Sequence, residues 1–453
     1  MSDIIAAIST ALAPSGIGVI RLSGDGCGAV ADRVLRPVYG PALSAGEHRK
    51  LRLFDLMDRQ GRVIDRVLAV YTPGPGSYTG EDTAELQCHG SPAVLTEALG
   101  SLFAQGARQA QAGEFTKRAF LNGRMDLTAA EAVIDLIEAE TADAAANAAG
   151  QVRGVLRDRL QGVYNSLLGI MSHFHAVLDY PDEDIDDFHL ASYRDLLEGA
   201  RQELDSLLAT ASRGRVVKNG VKAVILGRPN AGKSSLLNAL AGYERVIVTP
   251  IPGTTRDTVE EKLRLGGVVL RLTDTAGIRD TADAVERLGV DRAIAAAEDA
   301  DLSLLVIDGS GPLTAEDKRA MEAAKAARHC ICVLSKADLP RAVEPEALGL
   351  PRVIPVSAVT GEGLETLSRA VGDLFASDVP PDGSLLTNLR QETAIREAHE
   401  AIGRTLRGLA EGAAPDGVLL EVETALEAIG TVTGASMRED IVSDIFSRFC
   451  VGK

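Results

Sequence analysis

The feature that most constrains this chain is a phosphate-loop pattern lying in the setting such a loop needs. The apolar run Val221-Lys-Ala-Val-Ile-Leu226 leads directly into Gly227-Arg-Pro-Asn-Ala-Gly-Lys-Ser234, a match to G-x-x-x-x-G-K-[ST]. A strand that turns through glycines into a helix lets backbone N–H groups wrap phosphate oxygens at the positive end of the helix. The residues expected around the phosphates are Asn230, Ala231, Gly232, Lys233, Ser234 and Ser235. Lys233 would reach the β/γ-phosphates and the Ser234 hydroxyl would ligate Mg²⁺.

Four further elements follow in order. About twenty residues on stands Thr249, Pro250, Ile251, Pro252, Gly253, Thr254 and Thr255, the place of a switch loop whose Thr255 completes the Mg²⁺ shell. The strand-like Leu270-Arg-Leu-Thr-Asp274 then opens Asp274, Thr275, Ala276 and Gly277, a D-x-x-G element whose aspartate lies near the metal and whose glycine amide bonds the γ-phosphate. After an apolar run at Leu302–Ile307 comes Cys330–Leu334, followed by Ser335, Lys336 and Asp338. Asp338 can accept from the guanine N1 and N2 donors, which adenine lacks, so this element selects GTP over ATP. Ser357, Ala358 and Val359 follow Val353-Ile-Pro-Val356 as a last base contact. Each element falls at a strand end, which predicts a doubly wound sheet with the nucleotide at the strands' carboxyl ends. Asparagine usually stands where this chain has Ser335. That asparagine ties the base loop to the phosphate loop, so weaker nucleotide affinity is expected.

Hydrolysis needs a group to orient water. The glutamine that does this in Ras-type GTPases is replaced by Ile278, which cannot hydrogen-bond water. Glu286, in Asp283-Ala-Val-Glu-Arg287, is a candidate acting through a bridging water; a solvated helix glutamate is the competing reading. Charge stabilisation worth roughly 10³–10⁵ in rate falls to Arg256, to Arg279, or to a monovalent cation ligated by Asn230.

The flanks differ in texture. Residues 1–118 mix alternating apolar strands (Gly18–Leu22, Arg66–Tyr71) with the turn-rich Pro73-Gly-Pro-Gly-Ser-Tyr-Thr-Gly80, the pattern of an α/β or α+β domain with functional loops. Residues 119–215 are helical, with Leu156, Leu160, Val163, Leu167, Ile170, Phe174 and Val177 on one stripe, and residues 379–453 are helical again. A multidomain chain follows: an α/β N-terminal domain, an all-α helical domain, and an α/β P-loop G domain (216–378) inserted into it. The acidic turn at Asp182, Glu183, Asp184, Asp186 and Asp187 lacks EF-hand spacing and reads as solvated. A net charge of −17 counts against non-specific nucleic-acid binding. Five cysteines without a C-x-x-C pair and without a signal segment suggest free thiols in a reducing, cytoplasmic setting, and no run is apolar enough for a membrane. Cys330 and Cys332 read as core.

Taken together, Asn230 in the phosphate loop, Ile251-Pro-Gly-Thr-Thr-Arg-Asp257, Asp-Thr-Ala-Gly-Ile-Arg279 and the terminal Cys450-Val-Gly-Lys453 resemble the MnmE (TrmE) family of tRNA-modification GTPases. The resemblance spans the chain and includes Pro14–Gly24, Pro73–Asp82 and Gly113–Asn122. It implies an N-terminal folate-binding, dimerising domain and a homodimer whose G domains meet across the nucleotide. It also implies K⁺ held by Asn230 with backbone oxygens of Thr249, Ile251 and Thr254, and Glu286 as catalytic glutamate beside Lys233 and Thr255. An FAD-dependent partner (MnmG, or GidA) in a heterotetramer is implied too. Together they would add a carboxymethylaminomethyl or aminomethyl group to carbon 5 of the tRNA wobble uridine. A 5-formyl- or methylene-tetrahydrofolate derivative would supply the carbon, contacted by Arg21, Glu85, Arg124 and Lys453; Arg124 stands where the family often has lysine. Cys450 reads either as a nucleophile or as a packed thiol. A ribosome-assembly GTPase or a signalling switch are the alternatives. The flanks carry neither the basic surface nor the G-x-x-G loop of a KH domain.

Overall fold

The computed structural model describes residues 3–179, 190–243, 261–272, 295–376, 379–412, 415–436, 442, 445–447 and 449–452. The chain divides into two units, one of Met1–Ile137, Ala148–Asp205 and Thr393–Lys453, the other of Glu138–Asn147 and Ser206–Glu392.

In the first unit, seven strands run β1 (Ile5–Ile8), β2 (Ser15–Ser23), β3 (Leu35–Pro37), β4 (Arg52–Met57), β5 (Val63–Thr72), β6 (Thr83–Gly90) and β7 (Arg108–Gln109). They form one sheet in the order β3-β4-β5-β6-β2-β1-β7. The only parallel pair among them is β1–β7. Alternation sorts the side chains. Phe54 and Leu56, Val67 and Ala69, Ile20 and Leu22 point to one buried face, which the helix Pro92–Ala104 covers through Leu95, Ala98 and Leu102. The period-two pattern thereby becomes a sheet-on-helix core.

The helical stretch, whose residues Glu138–Asn147 belong to the second unit, is less continuous than its composition suggests. Between residues 127 and 179 it is broken into Leu127–Glu138, Ala142–Val152 and Val155–Asp179. Gly154, at φ 93°, ends the second of these in a conformation that costs other residues energy. The stripe from Leu156 to Phe174 is buried. Phe174 and His173 pack on Tyr193 of the helix Leu190–Ala209 with ring centroids 5.5 and 5.6 Å apart. Ile395, Ala398 and Ile402 form the buried face of Leu389–Glu411. The acidic turn at 182–187 lies outside the described residues.

The C-terminal residues return to the N-terminal sheet. Val451 bridges Ala112, and Ser9 Oγ donates to the Gly452 carbonyl at 2.9 Å. Gly452 has φ 98°, and a Cβ there would lie 2.5 Å from the Ile8 carbonyl oxygen. Only glycine fits this approach.

The second unit is built on β8 (Val221–Leu226), β9 (Glu261–Leu265), β10 (Val268–Leu272), β11 (Leu302–Asp308), β12 (His329–Ser335) and β13 (Val353–Val356), in the order β13-β12-β11-β8-β10-β9. All pairs are parallel except the β9–β10 edge hairpin. Both faces are covered, which is why the central strands read as unbroken apolar runs. Val221, Ala223, Ile225 and Leu304 serve one core, while Val224, Leu226, Leu305 and Ile307 serve the other. Cys332 is buried in that second core and Cys330 packs against it. Burial pushes the Cys332 thiol up to about 12, as expected of an inert core thiol. The α/β N-terminal domain, the helical domain and the doubly wound P-loop domain are all present.

Candidate nucleotide site and a second polar site

Strand order reverses between β8 and β11: later strands add on one side from β11 and on the other from β10. A crevice forms at such a switch point, and the loop leaving β8 runs into it. Gly227, at φ 148°, begins that loop, and a Cβ there would lie 2.3 Å from the Val306 carbonyl oxygen. Asn230 turns the loop at φ 62°, a left-handed conformation that asparagine tolerates. The helix Lys233–Tyr243 follows, with Leu236 and Leu240 buried and Ser234 and Ser235 exposed at its first turn. Lys233 Nζ donates to the carbonyls of Gly227 (2.7 Å) and Arg228 (2.9 Å). Burial lowers its pKa, so the ammonium is poorly solvated and suited to meeting phosphate oxygens.

The base-reading loop leaves β12 beside it. Ser335 Oγ donates to the Ala231 carbonyl at 2.5 Å and lies 3.1 Å from the Ile307 carbonyl. The serine therefore makes a tie to the phosphate loop itself, despite being shorter than asparagine. Asp338 Oδ1 accepts from Ser357 Oγ at 2.6 Å, and Ser357 Oγ in turn accepts from the amides of Val359 (3.3 Å) and Thr360 (3.1 Å). Ser357 thus braces the carboxylate that would read guanine. Lys336, at φ 59°, donates to Asp308 Oδ2 at 2.7 Å. Burial raises the Asp308 pKa, but bonds from Lys336 and Ser310 outweigh it and hold the carboxyl below the usual range. Asp308 and its second cationic neighbour Arg228 were not singled out from sequence; Arg228 occupies a variable place in the phosphate-loop pattern.

The remaining predicted nucleotide contacts lie outside the described residues: Thr249, Pro250, Ile251, Pro252, Gly253, Thr254 and Thr255, then Asp274, Thr275, Ala276 and Gly277. So do Arg256, Ile278, Arg279 and Glu286. No cluster of three metal-ligating side chains of the histidine, cysteine, aspartate or glutamate type occurs among the described residues.

A second polar site borders the 73–82 loop of the N-terminal sheet. Arg21 and Glu85 are cross-strand partners on β2 and β6, and Arg21 Nε donates to Glu85 Oε1 at 2.8 Å. The Arg21 guanidinium lies 5.7 Å from the Tyr78 ring centroid and 5.8 Å from that of Phe115. Such stacking fixes a planar cation at an aromatic wall. Behind the loop, Arg118 joins Asp3, Glu81 and Glu114 within 3.0 Å. Arg124 runs beneath the same loop: a Cβ on Gly80 would lie 3.3 Å from Arg124 Cγ. Lys453 lies outside the described residues, next to Gly452. Cys450 is exposed, and its carbonyl accepts from Gly113 N at 3.3 Å.

Two family descriptions match the chain. "GTP-binding protein TrmE N-terminus" matches residues 4–124, and "MnmE helical domain" matches residues 127–450. The chain belongs to the MnmE (TrmE) family. The relatives called tRNA modification GTPase MnmE from Heliobacterium modesticaldum and Chloroflexus aurantiacus are 41% and 43% identical to it, each with the whole of both chains covered. One from Roseiflexus sp. is 42% identical over all of this chain and 99% of its own. The G domain of the T. maritima FeoB iron transporter is 29% identical over 35% of this chain and 99% of that one, at a TM-score of 0.26. The family assignment rests on the full-length relatives. MnmE-family membership gives the phosphate loop its meaning as part of a GTPase.

Removing the Ser335 hydroxyl leaves the buried Ala231 carbonyl without this donor, at a cost of about one hydrogen bond. Ser335→Ala should weaken GDP binding by about tenfold, read by titration with a fluorescent GDP analogue. An unchanged affinity would show that the tie does not organise the site.

Proposed function

We propose that this chain hydrolyses GTP to drive the C5 modification of the tRNA wobble uridine. The observation that carries this reading is a base loop bonded directly to a phosphate loop, in a chain related along its whole length to tRNA modification GTPases. Asp338, braced by Ser357, accepts from guanine N1 and N2. Lys233 exchanges the carbonyls of Gly227 and Arg228 for β/γ-phosphate oxygens, and the amides at the start of Lys233–Tyr243 meet the same anion.

The exposed oxygens here are hard donors that fit Mg²⁺ and K⁺: the Ser234 hydroxyl and the Asn230 amide. Ser234 and Thr255 would hold Mg²⁺, and Asn230 with Thr249, Ile251 and Thr254 would hold K⁺. Bound there, the cations neutralise charge developing on the phosphates. Glu286 positions the attacking water through a bridging water.

At the second site, Arg21, Glu85, Arg124 and Lys453 would hold a tetrahydrofolate derivative. The arginine beside Tyr78 and Phe115 suits a ligand that is both aromatic and anionic. The chain would act in the cytoplasm as a homodimer with the FAD-dependent MnmG protein, on tRNA. Among the described residues no helix is long and apolar enough to cross a membrane.

Nucleoside analysis of tRNA tests this reading. Cells lacking the protein should lose the C5-aminomethyl-type uridines and regain them with the wild-type chain but not with Lys233→Ala. Full modification in the deletion strain would refute the reading. Separately, the rate of GTP hydrolysis should rise at least about tenfold in KCl over matched NaCl, and Glu286→Ala should lower it about 10²-fold or more. Equal slow rates in both salts would remove K⁺ from the mechanism.

A further inference from the structure

Asp308 ends β11 directly opposite Ser335 in the parallel register with β12. The loops that follow these two strands run together: Gly309 N donates to the Ser335 carbonyl at 3.0 Å, and Ala342 N to the Gly309 carbonyl at 2.8 Å. The Asp308 carboxylate is buried between them, and both its oxygens are engaged. Oδ1 accepts from Ser310 N at 3.0 Å and Ser310 Oγ at 2.6 Å. Oδ2 accepts from Lys336 Nζ at 2.7 Å and from Arg228 Nη2 at 3.3 Å.

The two cations belong to different loops. Arg228 is the second residue of the phosphate loop, and Lys336 is the second residue of the base loop. A second carboxylate lies close to Arg228, with Asp317 Oδ1 3.3 Å from its Nε in an ion pair that lacks hydrogen-bond geometry. Asp317 cannot drift, because its Oδ2 accepts from Thr314 N (2.9 Å) and Thr314 Oγ1 (2.7 Å) in a capping box opening Ala315–Ala324. Without the charge on Asp308, two cations would face each other across a half-buried gap, and like charges at this range repel.

We propose that Asp308 is a positioning residue for the guanine nucleotide: by holding Arg228 and Lys336 on one carboxylate oxygen, it sets the spacing between the phosphate-binding and base-reading loops. The proposal rests on the nucleotide reading of this site. It assigns to Arg228 a structural reason to be basic, since it acts through Asp308 rather than through the phosphates. A ligand spanning both loops gains from a fixed spacing, because less ordering remains to be done when it binds.

The test is equilibrium GDP binding by the full chain and by Asp308→Asn, Arg228→Met and the double variant, with thermal unfolding of each. Asp308→Asn is isosteric, and Arg228→Met removes a side chain that is not part of either apolar core. The expected result is about tenfold weaker GDP binding for Asp308→Asn, with guanine still preferred over adenine through Asp338. Arg228→Met should weaken binding alone, yet add less than about twofold in the Asp308→Asn background, because interacting residues are non-additive. Arg228→Lys should recover part of the loss. A GDP affinity for Asp308→Asn within about twofold of wild type would overturn the proposal, as would losses that multiply in full. If both variants only unfold at lower temperature while GDP affinity holds, the carboxylate is structural and the proposal fails. Wild-type protein that binds no GDP would refute the nucleotide reading itself, and this proposal with it.

Discussion

The contact between the loop after β8 and the ends of β11 and β12 is what the nucleotide site depends on. Gly227 brings the backbone against Val306, Ser335 bonds Ala231, and Asp308 receives Arg228 and Lys336. Each bond is modest, about 1 kcal/mol for the neutral one and about 1.5–3 kcal/mol for those to charged groups. Their effect comes from placement, because all three fall where the sheet's strand order reverses. The parallel strands supply rigidity there: β8 and β11 are buried on both faces, so their carboxyl ends are fixed before any ligand arrives. Loops anchored to such ends can be shaped for binding without loosening the core.

Motif and periodicity carried much of the architecture into the sequence. The phosphate loop, the strands at 221–226, 302–308, 329–335 and 353–356, and the apolar stripe on Val155–Asp179 all stand where residue spacing places them. Periodicity reports burial on one face, and burial is what forms these elements. The breaks between Leu127–Glu138, Ala142–Val152 and Val155–Asp179 were hidden because no proline marks them and helix-forming residues run through the whole stretch.

Polar contacts between distant residues had no periodic signature at all. Asparagine usually stands at position 335 to tie the base loop to the phosphate loop, yet here the serine hydroxyl makes such a tie to the Ala231 carbonyl. Arg228 and Asp308 are separated by 80 residues, and their pairing follows from strand order alone. Arg21 and Glu85 read as two separate ligand contacts; β2–β6 register makes them one ion pair beside Tyr78. The C-terminal glycine likewise gains its reason only from the approach of Ile8. What the MnmE family adds is the chemistry to which these arrangements are put.

The central claim is a single site that reads guanine at one end and phosphates at the other. Competition calorimetry with GDP and ADP against the purified chain measures it most directly. The account predicts tight binding of GDP and a preference over ADP of at least about 10³-fold, because adenine offers an acceptor where Asp338 needs a donor. Comparable affinities for the two nucleotides would contradict it.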